Sequence, residues 1–191
     1  MQPPTIINQR TLHTGRKFDY VELSLRDART GTTHQRQLVR HPGAVVIVPM
    51  LDDGRLVLIR NHRAALNQWL IELPAGTLEP GEAPEACAAR ELTEETGYQA
   101  DYVKSLGQFY TSPGLSDELM RVVGATGLRS VGQKLEADEC IEVMPTALST
   151  ALELIAKGHL CDGKSIAALM LAFQKGFIKP PAQGYGGGSG H

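Results

Sequence analysis

The sequence predicts an α+β fold in which a mixed β-sheet is flanked by helices. Several segments rich in valine, leucine and isoleucine are typical of strands, and one helix is bounded by Pro84 and Gly97. Strands and helices then follow one another without regular βαβ repetition, which favours a mixed sheet. The 191 residues, 42% of them apolar, are enough for one globular domain.

The N-terminal part of the chain alternates in polarity, as a half-buried strand does. Val21, Leu23 and Leu25 share one parity, whereas Phe18 and Tyr20 fall on the other. We therefore expect residues 1–40 to form N-terminal strands in an antiparallel sheet. Residues 41–178 are expected to form the main domain.

Two apolar segments follow, Gly43–Met50 and Leu56–Arg60, and both are typical of buried strands. Between them, Asp52-Asp53-Gly54 is a strong hairpin-turn signal, so we expect the two strands to pair as antiparallel neighbours. A further short strand is expected over Trp69–Leu73. Pro74-Ala75-Gly76 ends that strand and begins a loop.

Pro84 suits the first turn of a helix and Gly97 suits its C-terminal end, so a helix is predicted from Pro84 to Thr96. The later elements are expected to be strands near Tyr102–Tyr110, Leu119–Ala125 and Cys140–Met144, then helices near Ala147–Lys157 and Ser165–Lys175. Residues 179–191 include a glycine-rich run and are expected to form a flexible tail.

The composition argues against several classes of function. The net charge of −2 is spread over segments of mixed sign, which disfavours a nucleic-acid backbone as partner. No segment approaches the roughly 18 apolar residues of a membrane helix, and no signal-peptide pattern is evident, so we expect a cytoplasmic protein. Cys87, Cys140 and Cys161 lie far apart, without the spacing of a zinc site or a disulfide framework.

An acidic cluster near the end of the predicted helix is the main functional signal. Glu91, Glu94 and Glu95 stand at i, i+3 and i+4, so their side chains share one face. A carboxylate near the negative end of the helix dipole costs roughly 0.3–1 kcal/mol, and mutual repulsion adds to this. A solvated acidic face partly neutralised by Arg90 is one explanation. A bound magnesium or manganese ion is the other, since it would reverse the local field.

The residues around this cluster have a specific spacing. Five residues separate Gly76 from Glu82, seven more lead to Arg90, and Glu91-Leu92-Thr93-Glu94-Glu95-Thr96-Gly97-Tyr98 follows. This pattern resembles the Nudix box, G-x5-E-x7-R-E-U-x-E-E-x-G-U, at every charged and glycine position. Tyr98 departs from it, because the family usually has an aliphatic residue there, and we expect the change to alter packing rather than chemistry.

The resemblance implies the α/β/α Nudix fold, in which the box holds divalent metal ions against a diphosphate. Glu91 and Glu95 would be the principal ligands of magnesium, or of manganese, with Glu94 assisting and the backbone carbonyl of Ala75 as a further ligand. The other box residues would support the site: Arg90 by orienting a carboxylate, Glu82 by supporting the loop, and Gly76 and Gly97 at the glycine positions of the box.

Similar ADP-ribose hydrolases take their catalytic base from an acidic loop after the box. Here that loop is Glu136-Ala137-Asp138-Glu139. Glu139 is the first candidate for the base and Glu136 the second, and Glu95 would serve catalysis as a metal ligand. An exposed acidic turn without a catalytic role is the alternative for Glu136 or Glu139 taken alone.

Residues outside the box resemble the ADP-ribose pyrophosphatase branch of the family. Pro113 lies 15 positions after Tyr98, and Gly114 follows it, in a segment typical of that branch. The resemblance also implies that Arg63 contacts the phosphates of the substrate, and a surface arginine without that role is the alternative. The expected reaction is hydrolysis of ADP-ribose to AMP and ribose 5-phosphate.

Other functions stay open at this stage. GDP-mannose or another nucleoside diphosphate sugar would use the same chemistry, and a non-catalytic Nudix domain could instead sense a nucleotide. An oxidised nucleoside triphosphate is a further possible substrate, which the N-terminal extension and the segment around Pro113 disfavour. Similar enzymes are homodimers whose N-terminal strands reach the partner, and Phe18 and Tyr20 are candidates for stacking on the nucleobase. Packing in the core is the alternative for at least one of the two.

Overall fold

The computed structural model describes residues 2–135 and 139–179. Its strands are β1 (Thr5–Thr14), β2 (Asp19–Arg26), β3 (Thr33–Arg40), β4 (Ala44–Pro49), β5 (Arg55–Arg63), β6 (Gln68–Glu72), β7 (Ala75–Thr77), β8 (Tyr98–Tyr110), β9 (Leu119–Ser130) and β10 (Ile141–Ala147). Its helices are α1 (Pro84–Thr96), α2 (Leu148–Ala156) and α3 (Gly163–Gln174). The strands form three sheets, with the orders β1-β2-β3, β10-β5-β6 and β7-β4-β9-β8.

The N-terminal sheet is antiparallel, as predicted. β2 lies between β1 and β3 and pairs with both. Val21 and Leu23 of β2 are buried, whereas Tyr20, on the opposite parity, is 36% exposed. The alternation of polarity along this segment therefore predicted a strand correctly.

The predicted hairpin around residues 52–54 is wrong in its pairing. The chain does turn there, with the Gly54 N–H donating to the Leu51 carbonyl at 2.9 Å, but only Met50 and Leu56 bridge across the turn. β4 pairs instead with β7 and, in parallel, with β9, whereas β5 pairs with β6 and β10. A turn sequence specifies a local reversal of the chain. The apolar residues of β4 and those at 56–59 of β5 are buried, and buried strands can pair with different neighbours in separate sheets.

Two apolar clusters lie on opposite faces of the four-stranded sheet. Val45 and Ile47 of β4 pack in one cluster with Leu92 of α1. Val46 and Val48, on the other parity, pack in a second cluster with residues of β5, α2 and α3. Helices therefore cover a mixed sheet on both faces, and the predicted α+β architecture is confirmed.

The predicted helix has the expected bounds, since α1 runs from Pro84 to Thr96. Gly97 ends it in the left-handed conformation with φ of 71°, and its N–H donates to the Thr93 carbonyl at 3.0 Å. None of the helices described is long and apolar enough to cross a membrane.

Candidate active site

The strand β7 leads from the central sheet into the loop before α1, and its pairing with β4 fixes the start of that loop. Gly76 of β7 lies against Glu91 of α1. A Cβ at position 76 would stand 1.8 Å from the carboxylate carbon of Glu91. Only a residue without a side chain therefore lets this carboxylate approach the strand.

Arg90 connects the acidic side chains of the loop and the helix. Its guanidinium donates to the two carboxylate oxygens of Glu82 at 3.0 Å each, to Glu91 at 2.8 Å and to Glu94 at 3.1 Å. These hydrogen bonds from Arg90 lower the pKa of Glu82 to about 2, so Glu82 stays ionised and ties the loop to α1. One guanidinium thus serves three carboxylates, and its single positive charge cannot balance all three.

Glu91 and Glu95 lie in a desolvated environment. Burial raises the pKa of Glu95 to about 8, although the Ala75 N–H donates to its Oε2 at 2.9 Å. Burial also raises the pKa of Glu91 to about 7, against the opposing effect of Arg90. Both carboxylates therefore stand where a negative charge is unfavourable unless further positive charge is supplied.

The donor set fits a hard divalent cation. Glu91, Glu94, Glu95 and Glu139 line one cavity, and carboxylate oxygens are the ligands that magnesium and manganese take in proteins. Within residues 2–135 and 139–179, no three histidine, cysteine or acidic side chains already converge in the geometry of a metal site. Arg90 bonds to Oε1 of Glu91 and to Oε2 of Glu94, so the other oxygen of each carboxylate can bind an ion while the guanidinium keeps its contacts.

The cavity has a volume of about 1030 Å³ and extends from α1 to the N-terminus of α3. This volume lies at the upper end of the roughly 300–1,000 Å³ typical of small-molecule sites. The sequence-predicted residues that line it are Arg63, Ala75, Gly76, Arg90, Glu91, Glu94, Glu95 and Glu139. Glu82 and Gly97 do not line the cavity. Glu82 bonds to Arg90, which does line it, and Gly97 ends α1, the helix that carries the acidic cluster.

The candidate substrate residues after β8 are not in the wall of this cavity. Pro113 and Gly114 lie on the turn between β8 and β9, whereas Thr111, at the start of the same turn, lines the cavity. The turn is held against the N-terminal sheet because the Val39 N–H donates to the Leu115 carbonyl at 2.9 Å. The segment is therefore adjacent to the cavity without contributing its proline to it.

Phe18 and Tyr20 are also outside the main cavity. Phe18 is 50% exposed beside a smaller cavity of about 310 Å³, and the Tyr20 hydroxyl donates to Gln37 at 2.6 Å. Arg16 and Lys17, in the connection between β1 and β2, line both cavities. Sequence reasoning missed these two residues, although two adjacent basic side chains next to an aromatic residue were a usable signal.

The predicted catalytic loop is described only in part. Glu136 lies in residues 136–138, outside the described part of the chain, whereas Glu139 lines the cavity. Just before that gap, the Gln133 side-chain amide donates to the carbonyl of Glu95 at 2.6 Å, and the Lys134 N–H donates to the carbonyl of Glu94 at 3.0 Å. These donors satisfy carbonyls at the end of α1 that have no partner within the helix. Gln133 and Lys134 are thereby anchored to α1, the helix that carries the acidic cluster.

Sequence reasoning also missed a buried ion cluster at the wall of the cavity. Glu72, only 1% exposed, accepts hydrogen bonds from Arg63 at 2.8 Å and from Lys164 at 2.6 Å. Lys164 donates in turn to Asp162 at 2.9 Å, and Asp162 caps α3 by accepting from the Ser165 N–H at 3.1 Å. A single acidic residue in an otherwise apolar strand was a usable signal. Its lysine partner lies 92 residues further along the chain, where no local pattern points to it.

Comparison with known proteins agrees with this geometry. The chain is 40% identical over 141 residues to the ADP-ribose pyrophosphatase of Bacillus subtilis (strain 168), covering 73% of this chain and 76% of that protein. It is 39% identical over 181 residues to the ADP-ribose pyrophosphatase of Mycobacterium tuberculosis, covering 91% and 86%. It is also 34% identical over 151 residues to the GDP-mannose pyrophosphatase of Yersinia enterocolitica, covering 73% and 78%.

A solved structure described as an ADP compounds hydrolase has the same fold. It matches with a TM-score of 0.79 and 25% sequence identity, over 91% of this chain and 94% of that one. Residues 39–167, more than half of the chain and including the whole box from Gly76 to Tyr98, match the NUDIX domain. The spacing of the box predicted this relationship correctly, and the chain belongs to the NUDIX domain family.

Proposed function

We propose that the chain is a cytoplasmic, metal-dependent hydrolase that cleaves the diphosphate of ADP-ribose to give AMP and ribose 5-phosphate. The observation that carries this proposal is one cavity lined by Glu91, Glu94, Glu95 and Glu139 together with Arg63. Four carboxylates would repel a diphosphate unless divalent cations stood between them. Two relatives at about 40% identity that bear the name ADP-ribose pyrophosphatase support the choice of substrate.

The box residues would hold the metal and set its geometry. Glu91, Glu94 and Glu95 are the proposed ligands of magnesium, or of manganese, with the carbonyl of Ala75 as a further oxygen ligand. Such ions, when bound, neutralise diphosphate oxygens and lower the pKa of a bound water. Arg90 would position the carboxylates rather than touch the substrate, because its guanidinium is already shared among acidic side chains.

Glu139 is the proposed general base, with Glu136 as the second candidate. The charge of Glu139 contributes to the raised pKa values of Glu91 and Glu95, so it lies close to both. A carboxylate in that position can accept the proton of the attacking water. Glu139→Gln should lower kcat at saturating substrate and metal, whereas an unchanged kcat would move the role to Glu136.

Arg63 is the proposed contact for the diphosphate. It is 41% exposed at the cavity and uses Nε and Nη2 on Glu72, while its Nη1 makes no hydrogen bond within the described residues. Guanidinium groups bind phosphate oxygens with defined geometry. Phe18 and Tyr20 are the proposed contacts for the nucleobase, and Pro113 and Gly114 for the rest of the substrate. Because they lie outside the main cavity, they are proposed to act from a partner subunit.

We also propose that the protein is a homodimer held through its N-terminal sheet. Every residue of β1 is exposed, including the apolar Ile6, Ile7 and Leu12, at 55%, 44% and 37%. Apolar side chains on an exposed edge strand are expected to be covered by another chain. Size-exclusion chromatography with light scattering should give the mass of two chains. A mass near 20.7 kDa would contradict this proposal.

GDP-mannose is the second candidate substrate, because a GDP-mannose pyrophosphatase is 34% identical to the chain. A non-catalytic nucleotide sensor is the candidate from another class, and the intact carboxylates of Glu91, Glu94 and Glu95 argue against it. A substrate panel separates these functions.

The panel contains ADP-ribose, GDP-mannose, UDP-glucose, NADH and 8-oxo-dGTP, each tested with magnesium or manganese, and phosphate release is measured after coupling to a phosphatase. Preference for ADP-ribose is the expected result. Preference for another nucleotide sugar would keep the chemistry and change the substrate. No turnover of any compound with either metal would overturn the proposal in favour of a binding domain.

A further inference from the structure

Glu72 is a buried carboxylate at the wall of the cavity, and it is held by two cations. Arg63 binds it in a bidentate manner: Nε donates to Oε1 at 2.8 Å and Nη2 donates to Oε2 at 2.5 Å. The ammonium of Lys164 approaches the same Oε2 at 2.6 Å. Both contacts matter, because a carboxylate that is 1% exposed is tolerated only when it is fully paired.

Lys164 is itself fixed by the first turn of α3. Its side chain is 13% exposed and donates to Asp162 at 2.9 Å. The Ser165 hydroxyl accepts from the Leu73 N–H at 2.7 Å, so α3 is attached to two consecutive residues, Glu72 and Leu73. The start of α3 therefore sets the position of the Glu72 carboxylate, to which Arg63 is hydrogen-bonded.

We propose that Lys164 is a positioning residue of the diphosphate site, which acts on Arg63 through Glu72; this inference rests on the proposed function. The contact with Lys164 fixes the carboxylate plane of Glu72, and the two-pronged contact with Glu72 fixes the plane of the guanidinium. The Nη1 edge of Arg63 then keeps one orientation for the substrate. An unfixed arginine that is 41% exposed would lose side-chain entropy each time substrate binds.

The charge of the cluster needs a separate control. Glu72 and Asp162 carry two negative charges and Arg63 and Lys164 two positive ones, so the cluster is neutral. Lys164→Met alone would leave one negative charge in excess beside an anionic substrate. Lys164→Met combined with Asp162→Asn removes one charge of each sign and keeps the cluster neutral, and asparagine still caps a helix. Comparison of the two variants separates the effect of Lys164 on the orientation of Arg63 from electrostatic repulsion between the cluster and the substrate.

The experiment measures kcat and KM for ADP-ribose at saturating magnesium, with thermal unfolding of each variant of the full chain. The variants are Lys164→Met, Lys164→Met with Asp162→Asn, Arg63→Gln, and Arg63→Gln combined with Lys164→Met. We expect each of the first two to raise KM about five- to tenfold with kcat within about twofold, because a contact made equally in ground and transition states affects KM. In the Arg63→Gln background, Lys164→Met should not change KM further, although the double variant should melt at a lower temperature because Glu72 then loses both cations. Lys157→Met, at an exposed lysine paired with Glu153, is the control and should behave as wild type.

Three results would overturn the inference: an unchanged KM in Lys164→Met, a return to the wild-type KM in the neutral pair, or fold-changes that multiply in the combination with Arg63→Gln. If Lys164→Met alone fails to fold, the neutral pair in the two Arg63 backgrounds gives the same answer. Lys164→Arg should recover most of the wild-type KM. A wild-type protein inactive on the whole substrate panel would instead overturn the proposed function, so the two failures are distinguishable.

Discussion

The carboxylate of Glu91 on α1 fills the space beside the α-carbon of Gly76 on β7, and a Cβ at position 76 would stand 1.8 Å from the carboxylate carbon of Glu91. The obstructed atom belongs to the end of a long side chain, which can rotate away, rather than to the backbone. A larger residue at position 76 should therefore displace the carboxylate without unfolding the chain.

Gly76→Ala tests this relationship. We expect kcat to fall by about 100-fold or more, because Glu91 loses the position from which it would hold metal, while the melting temperature changes by only a few degrees. Steady-state kinetics and thermal unfolding measure the two effects. The combination of Gly76→Ala with Glu91→Ala should be no worse than Glu91→Ala alone, since both act on one carboxylate. Independent losses that multiply would contradict the argument.

Glu95→Gln should abolish turnover while the fold stays intact. The substitution keeps the size of the side chain and removes the charge that a divalent cation would need, so we expect a loss of about 100-fold or more at saturating magnesium. Glu85→Gln is the matched control, because Glu85 lies on the same helix, is exposed and is outside the cavity. Near-normal activity of Glu95→Gln would show that the metal assignment is wrong.

The metal-free protein should lose stability as the pH rises. Glu95 has a pKa of about 8 in the folded protein, against 4.5 for an ordinary glutamate, and the pKa of Glu91 is raised to about 7 by burial. The folded state therefore binds more protons than the unfolded state from about pH 4.5 to about pH 8, and the free energy of unfolding falls across this range. At about 1.4 kcal/mol per pKa unit, the loss across this range should be several kcal/mol, or roughly 10 °C or more in melting temperature.

Thermal unfolding in EDTA at pH 5.5 and pH 8 measures this effect. Glu95→Gln should reduce the change with pH, whereas Glu85→Gln should preserve it. Saturating magnesium should raise the melting temperature more at pH 8 than at pH 5.5, because metal and protons compete for the same carboxylates. A metal-free protein that is more stable at pH 8 would refute the proposed environment of these two groups.

Gly97→Ala should destabilise the fold more than an ordinary glycine substitution. Gly97 has φ of 71°, and a Cβ there would stand 2.7 Å from the backbone nitrogen of Gln133. Gly158, with φ of 73° and nothing within 4 Å of an added Cβ, is the matched control. Gly158→Ala should cost about 1 kcal/mol for backbone strain alone, and Gly97→Ala about 2–3 kcal/mol. Urea denaturation measures the free energy of unfolding of both variants. Equal losses would contradict the prediction and would mean that residues 131–135 move aside for the added methyl group without a cost in stability.

Local features of the fold were predictable because they depend on neighbours in sequence. Pro84 and Gly97 gave the bounds of α1, since proline is preset for a first helical turn and glycine for the left-handed residue that ends it. Alternation of polarity along the segment of Val21 and Leu23 predicted the strand β2. The spacing within the box identified the family for the same reason, because Glu91, Glu94 and Glu95 lie within two turns of one helix.

Long-range features were not predictable from these patterns. The turn at residues 52–54 could not reveal that β4 would lie parallel to β9, because sheet partners are chosen by burial on both faces of the strands. Likewise, no local pattern pointed to the contact between Glu72 and Lys164.

The sequence by itself determined the family, the mixed architecture and the acidic helix face, because each depends on residue patterns with a spacing of a few positions. The tertiary structure decided which side chains share the cavity with that face. It placed Arg63, Glu72 and Lys164 in one ion cluster and left Pro113 and Phe18 outside the main cavity. These placements depend on how β6, α3 and the N-terminal sheet pack. Such packing is driven by the burial of apolar surface between segments that are distant in sequence, and it therefore leaves no pattern of fixed spacing along the chain.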